Sequence, residues 1–173
     1  MSYHLEFEHW IPFPPERVFR FFADPHNLPR IMPPASATRI LRLDLVPPRH
    51  PESAESTVGE PNLFAGIGST IVTSFRPFPA LPFRALWVAR ITEFEWDHHF
   101  ADVQEKGPFH SWHHRHEFVA EMRGSAPGTL VRDLIDYEIG FGLLGRLAQG
   151  LFVARQMQSI FTHRQKVLQS LLA

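Results

Sequence analysis

The sequence contains no cysteine, which excludes disulfide bonds, thiolate metal sites and cysteine nucleophiles. It also lacks an excess of either charge, because 17 Lys and Arg oppose 18 Asp and Glu. Such a balance provides no long-range field that would attract nucleic acid or an anionic membrane. There is no apolar run of about 18 residues and no N-terminal signal pattern. We therefore expect a cytoplasmic protein that binds no nucleic acid and does not insert into a membrane.

Several catalytic motifs are also missing from the sequence. It has no Gly-x-Gly-x-x-Gly, no phosphate-binding loop, no Gly-x-Ser-x-Gly and no His-Glu-x-x-His, so nucleotide, serine hydrolase and zinc protease chemistry lack their usual sequence signatures. Only 2 Tyr stand beside 16 Phe and 4 Trp, and such apolar aromatic content favours a large core or an apolar cavity. The length fits a single domain over residues 1–173.

The hydrophobic pattern predicts an α+β domain with about seven strands. Alternating or β-branched stretches predict strands at Tyr3–Ile11, Ala37–Val46, Gly66–Phe75, Phe83–Trp96, His99–Gln104, Trp112–Ala120 and Thr129–Ile139. Two short helices are expected after the first strand, and a proline-rich loop over residues 47–61. Apolar residues at three- and four-residue steps predict a helix from Leu144 to Leu172, about 43 Å long. A helix of that length can bury its apolar face only across the sheet.

The segment from residue 112 to residue 118 is unusual because aromatic, histidine and charged residues alternate along it. As a strand it would place Trp112, His114, His116 and Phe118 on one face. Pairing of Ala120 with Thr129 in the following hairpin would put His116 opposite Asp133, His114 opposite Ile135 and Trp112 opposite Tyr137 on that face. The face is polar in its middle and apolar at its ends, which is typical of a pocket wall or of a core with embedded polar groups.

The histidines on this face allow three interpretations. His116 and Asp133 are candidate catalytic residues, because a carboxylate orients an imidazole for proton transfer. They could equally satisfy each other within a packed core. The spacing of His114 and His116 also suits a metal ion, with Asp133 or Asp102 as a third ligand. With 11 histidines in the chain that spacing is unspecific, and we predict no metal and no cofactor.

A second set of residues is apolar and aromatic. Its members are Trp87, Phe100, Trp112, Phe118, Phe152, Met157 and Phe161. They would either line a pocket for an apolar ligand or fill the core, and the measured cavity volume decides between the two. Arg146, Arg155, Arg164 and Lys166 fit the wet face of the last helix.

Several short motifs together resemble one superfamily. They are Pro82 with Trp87 and Ile91; Asp102, Gln104, Gly107, Pro108 and Phe109; Trp112, His114, His116 and Phe118; Gly128, Thr129, Asp133 and Tyr137; Phe141, Gly142 and Gly145; and Ile160, Phe161 and Arg164. This pattern resembles the ligand-binding SRPBCC proteins of the START/Bet v 1-like superfamily, also described as polyketide cyclase/dehydrase-like. The resemblance implies a helix-grip fold, in which a curved seven-stranded antiparallel sheet wraps around the C-terminal helix, and it suggests that Arg164 caps the helix or pairs with a carboxylate. Phe109 and Gly140 depart from the Tyr and Pro that are frequent in the family.

The resemblance and the residues together give an expected function. We expect a small hydrophobic ligand, such as a lipid, polyketide or isoprenoid, between the sheet and the last helix. The expected ligand-binding residues are Trp87, Phe100, Asp102, Trp112, His114, His116, Phe118, Asp133, Tyr137, Phe152, Met157 and Phe161. The alternatives are a cyclase or dehydratase that uses the His116–Asp133 pair to move protons, and a protein-interaction domain with a filled core.

Overall fold

The computed structural model describes residues 2–49, 63–78, 82–140 and 152–173. The described residues form seven strands in one antiparallel sheet. The strands are β1 Ser2–Ile11, β2 Arg39–Asp44, β3 Thr70–Phe75, β4 Ala85–Glu95, β5 His99–Lys106, β6 Ser111–Arg123 and β7 Ala126–Glu138. Their order across the sheet is β1, β7, β6, β5, β4, β3, β2. Most of the proline-rich loop lies outside the described residues.

Three α-helices accompany the sheet in the described part of the chain: α1 Pro15–Ala23, α2 Leu28–Ile31 and α3 Ala154–Leu172. Pro15 suits the first turn of α1, where no backbone donor is needed, and Glu16 favours its positive end. After α1 the chain turns at Asp24, whose carboxylate accepts a hydrogen bond from the His26 N–H at 2.9 Å. The first part of the predicted last helix, residues 144–151, lies outside the described residues. None of the described helices is long and apolar enough to cross a membrane.

This arrangement confirms the predicted α+β helix-grip fold, and the predicted register of the β6–β7 hairpin is also correct. Ala120 pairs with Thr129, and His116 lies opposite Asp133. Trp112, His114, His116 and Phe118 are all buried on one face, as the alternation predicts. The turn is shorter than expected: only Gly124 and Ser125 separate the strands, and Gly124 adopts a φ of +61°. A glycine tolerates this left-handed conformation without strain, so both strands extend to the turn.

Two strands depart from strict alternation because each contains a register shift. In β2 the shift lies between Ile40 and Arg42, and Leu41, which strict alternation would place on the same face as Leu43, is 56% exposed. In β4 one shift lies between Ile91 and Glu93. An extra residue in a strand reverses the face of everything beyond it. Phe94 consequently packs in the core against Phe19, whereas strict alternation would place it on the opposite face from Ile91.

The inner face of the sheet carries two hydrophobic clusters. The first, around Phe19, Phe100 and Phe118, packs α1 and the end of α3 against the sheet. The second surrounds Trp112, Tyr137 and Phe161 at the other end of α3. The apolar stripe of α3 therefore contributes to both clusters, as its helical spacing predicts.

The turn between β5 and β6 explains the spacing of Gln104, Gly107 and Phe109 in one of the sequence motifs. The Gln104 side chain donates to the Phe109 carbonyl at 2.8 Å and accepts from the Phe109 N–H at 3.3 Å. It crosses Gly107 so closely that a Cβ on that residue would collide with the Gln104 amide. The glutamine and the glycine thus form one unit that sets the start of β6.

Candidate functional site

A cavity of about 890 Å³ lies between the inner face of the sheet and α3. This volume is larger than the roughly 300 Å³ at which ligand pockets begin, and it argues against the alternative of a filled core. Nine of the residues predicted to bind a ligand line it: Trp87, Phe100, Asp102, Trp112, His114, His116, Phe152, Met157 and Phe161. The lining is mainly apolar and aromatic, with a small polar region on β5, β6 and α3.

The structure places the other three predicted residues outside the lining. Phe118 packs into the first cluster, with its ring centroid 5.2 Å from that of Phe19. Tyr137 stacks on Tyr3 at 5.5 Å and supports Trp112 from the neighbouring strand. Asp133 lies behind the two histidines, within hydrogen-bonding distance of their rings. These three residues pack behind the residues that line the cavity. Alternation along a strand cannot distinguish the two groups, because lining and supporting residues lie on the same face of the sheet.

The residue pattern placed Arg164 on the wet face of the helix and not among the site residues, whereas the family resemblance suggested that it caps the helix or pairs with a carboxylate. The wet-face prediction is wrong, and Arg164 does pair with a carboxylate, that of Asp133. Arg164 is 7% exposed and lines the cavity. A signal was present, because Arg164 follows Phe161 by three residues and precedes Leu168 by four, which puts it on the apolar stripe. The other lining residues not predicted include Phe22 of α1 and, at the exposed rim, Arg76 and Arg155.

The polar region is organised around a single carboxylate oxygen, Oδ1 of Asp133. His114 Nε2 lies 2.9 Å from it in a hydrogen bond, and Arg164 Nη1 donates to it at 3.3 Å. His116 Nδ1 approaches the same oxygen to 2.7 Å, although the alignment lies outside hydrogen-bond geometry. A nitrogen and an oxygen at that separation repel unless a proton lies between them, so we assign the proton of His116 to Nδ1.

Burial and the neighbouring charges decide the protonation of this cluster. Burial alone would raise the pKa of Asp133, but the close contact with His116, the hydrogen bond from His114 and the charge of Arg164 hold that pKa below its usual range. Burial, followed by the neighbouring His116, lowers the pKa of His114 to about 4. Burial also lowers the pKa of His116, against the opposing effect of Asp133. Near neutral pH the cluster therefore combines an ionised Asp133, a charged Arg164 and two neutral imidazoles.

Asp102 is the second carboxyl group of the site. It pairs with His114 across β5 and β6, and its Oδ2 lies 4.0 Å from His114 Nδ1. Burial raises its pKa, opposed mainly by His114. Asp102, His114 and His116 each place one possible metal-ligand atom within 4.8 Å of the other two, in the part of the chain that the structure describes.

Aromatic rings surround the two histidines, which are both buried. The imidazoles of His114 and His116 lie 3.9 Å apart between centroids, and Phe100 lies 4.5 Å from His116. Phe161 contacts His114 from α3 at 6.0 Å and lies under the Arg164 guanidinium at 4.7 Å. In such surroundings hydrogen bonds and charge pairs are stronger than in water, which allows a few polar atoms to orient a mainly apolar ligand.

Comparisons with known proteins agree with this architecture. Residues 11–161 match the model of a family described as polyketide cyclase/dehydrase and lipid transport. No curated protein sequence matches the chain significantly.

Among solved structures, the TTHA0849 protein of Thermus thermophilus is 20% identical with a TM-score of 0.66, over 98% of this chain and 97% of that one. The major latex-like protein 151 of Panax ginseng is 15% identical with a TM-score of 0.61, over 98% and 96% of the two chains. Norcoclaurine synthase of Thalictrum flavum is 10% identical with a TM-score of 0.60, over 97% and 87%. At these identities the likeness supports the fold alone. The family match covers most of the sequence, and the chain therefore belongs to the polyketide cyclase/dehydrase and lipid transport family.

Proposed function

We propose that this protein is a cytoplasmic, single-domain carrier that binds one small hydrophobic molecule in the cavity between the sheet and α3. The observation that carries the proposal is the cavity of about 890 Å³, apolar over most of its wall, with a buried polar region around Asp102, His114, His116 and Arg164. An apolar body would be held by burial of its surface and by ring contacts with Trp87 and Trp112. Its oxygen atoms would be oriented by the polar region.

The charges at the rim favour an acidic ligand. Arg76 and Arg155 line the cavity and are exposed, and within the described residues neither guanidinium makes an ion pair. They belong to the same part of the rim, because Gln156, next to Arg155, donates to the carbonyl of Pro77 at 2.9 Å. An amphipathic anion, such as a fatty acid, would place its chain among the rings and its carboxylate near these arginines.

Native mass spectrometry of the purified protein tests the proposal directly, because a carrier retains an apolar molecule of defined mass. Displacement of the dye Nile red then measures affinity, with palmitate compared to hexadecanol of equal chain length. We expect palmitate to bind more tightly, and replacement of both Arg76 and Arg155 by Gln to remove the difference. The exposed Arg39→Gln is the matched control. Failure of every hydrophobic probe to bind would overturn the carrier proposal.

The second candidate function is a cyclase or dehydratase, and the contact of His116 with Asp133 at the cavity wall favours it. His116 would remove a proton from carbon beside a carbonyl and deliver it to a departing hydroxyl, which leaves as water. With a turned-over substrate, His116→Ala would lower turnover by about 100-fold or more. A carrier would instead show only a modest loss of affinity in the same variant.

A further inference from the structure

Three polar side chains, those of Asp102, His114 and His116, lie together at the cavity wall. Asp102 lies on β5 and pairs directly with His114 on β6, while His116 follows two residues later on the same face. Their possible ligand atoms come within 4.8 Å of one another. Neighbouring strands hold all three residues, so backbone pairing fixes their relative positions.

Asp133 orients both imidazoles from behind. Its Oδ1 contacts His114 Nε2 at 2.9 Å and His116 Nδ1 at 2.7 Å, which assigns the ring protons to those two nitrogens. The other nitrogens, His114 Nδ1 and His116 Nε2, then carry lone pairs. His114 Nδ1 lies on the side of Asp102, 4.0 Å from its Oδ2. A carboxylate that holds the outer N–H of each histidine is the usual supporting arrangement of a metal site.

The two carboxylates of the region have different partners. Arg164 donates to Asp133 at 3.3 Å, on the side of the sheet residues behind the histidines. Asp102 makes no hydrogen bond at that distance among the described residues: its Oδ2 is 4.0 Å from His114 Nδ1, and its side chain is only 15% exposed. Asp102 is therefore the carboxylate that is available at the cavity wall.

We propose that Asp102, His114 and His116 bind a divalent transition-metal ion at the wall of the cavity. Two imidazoles and one carboxylate, without thiolate, suit zinc, iron(II), cobalt(II) or manganese(II), and leave coordination positions for other ligands. Those positions adjoin the cavity, so the metal would hold an oxygen atom of the molecule bound there. Of the two third ligands considered from the sequence, the structure assigns the ligand role to Asp102 and the supporting role to Asp133.

Calorimetric titration of the full, EDTA-treated and dialysed chain with zinc chloride tests this site, and cobalt(II) chloride gives a second readout by visible absorption. We expect one metal ion per chain at micromolar zinc and a d–d spectrum of nitrogen and oxygen ligation. Asp102→Asn and His116→Gln, examined separately, should each abolish binding at that concentration. Asp133→Asn should keep the stoichiometry and weaken the affinity by about 10–100-fold, because it acts through the histidines.

The matched control is His113→Gln, on the same strand between the two proposed ligands but on the outer face, where its Nε2 lies 3.7 Å from Glu93. This variant should bind zinc as the original chain does. Circular dichroism verifies that each variant is folded. No binding by the original chain at micromolar zinc would overturn the proposal, as would binding that survives Asp102→Asn and disappears in His113→Gln. Binding of Nile red by the metal-free chain is measured separately, so failure of the metal site leaves the carrier proposal testable.

Discussion

Arg164 Nη1 lies 3.3 Å from Asp133 Oδ1, and this contact joins the closing helix to the sheet through two buried opposite charges. Each charge has been removed from water, so each depends on the other for compensation. The pair also holds Oδ1 at the point where it meets both histidines. A single contact thus connects the stability of the fold with the geometry of the site.

Replacement of Arg164 by Met should be strongly destabilising, because it leaves Asp133 buried beside two neutral rings. Loss of one partner of a buried pair typically costs about 3–5 kcal/mol in the free energy of unfolding. Urea denaturation measures the loss. The matched control is Arg155→Met, an exposed position on the same helix, for which we expect a change within about 0.5 kcal/mol. An equal effect of the two variants would contradict the buried pair.

The position of Arg164 also shows how far the sequence analysis reached. Helical periodicity identified the buried stripe through Phe161 and Leu168, and Arg164 occupies that stripe. The residue pattern alone nevertheless assigned Arg164 to solvent, because an arginine is rarely buried and its partner lies 31 residues away on another element. Only the family resemblance suggested pairing with a carboxylate. The strand pairing of His116 and Asp133 could be predicted, because a short hairpin fixes its own register.

Filling the cavity should reduce ligand binding without unfolding the chain. Ala89 is buried on β4 and lines the cavity, so Ala89→Phe places a ring in the space proposed for the ligand. We expect Nile red affinity to fall about tenfold or more, equivalent to at least about 1.4 kcal/mol. Leu86→Phe is the control, because Leu86 is exposed on the opposite face of the same strand. If Ala89→Phe left the Nile red affinity unchanged, the dye would bind outside this cavity and the prediction would be wrong.

Gly128 should tolerate no side chain, because a Cβ there would lie 2.5 Å from both the Ile11 carbonyl oxygen and the Trp10 ring. One of these contacts is with backbone, so β1 and β7 would have to separate. We expect Gly128→Ala to lower the free energy of unfolding by about 1–3 kcal/mol. Gly140→Ala is the matched control, since a Cβ at that position meets no atom of the described residues within 4 Å. Equal thermal midpoints for the two variants would refute the steric argument.

The two hydrogen bonds between Gln104 and Phe109 predict that substitutions of Gln104 lower the stability of the fold by different amounts. Gln104→Leu removes both hydrogen bonds to Phe109 and should cost about 1–3 kcal/mol. Gln104→Glu keeps the acceptor for the Phe109 N–H but loses the donor, so its loss should be smaller. Chemical denaturation of the two variants measures the order. If Glu proved worse than Leu, repulsion with the carbonyl would outweigh the retained bond.

The register shifts mark the limit of prediction from alternation. The sequences of β2 and β4 give no sign of an extra residue, because the shifts at Ile40/Arg42 and Ile91/Glu93 do not fall at a glycine or proline. What fixes the β4 shift is tertiary: it lets Phe94 meet Phe19 on the inner side, while Glu93 forms an ion pair with Arg115. The position of this register shift therefore depends on contacts with both α1 and β6, and the sequence of β4 alone does not determine it.

The two clusters on the inner face divide the molecule unequally, and this division has an evolutionary consequence. The end around Phe19 and Phe118 is packed and carries stability, whereas the end around Trp87 and Met157 borders the cavity. Substitutions at the end that borders the cavity face empty space on one side. They therefore change the shape of the cavity with little effect on the free energy of unfolding. If the chain is the proposed carrier, a few replacements at this end could change which ligand it prefers, while the packed end preserves the fold.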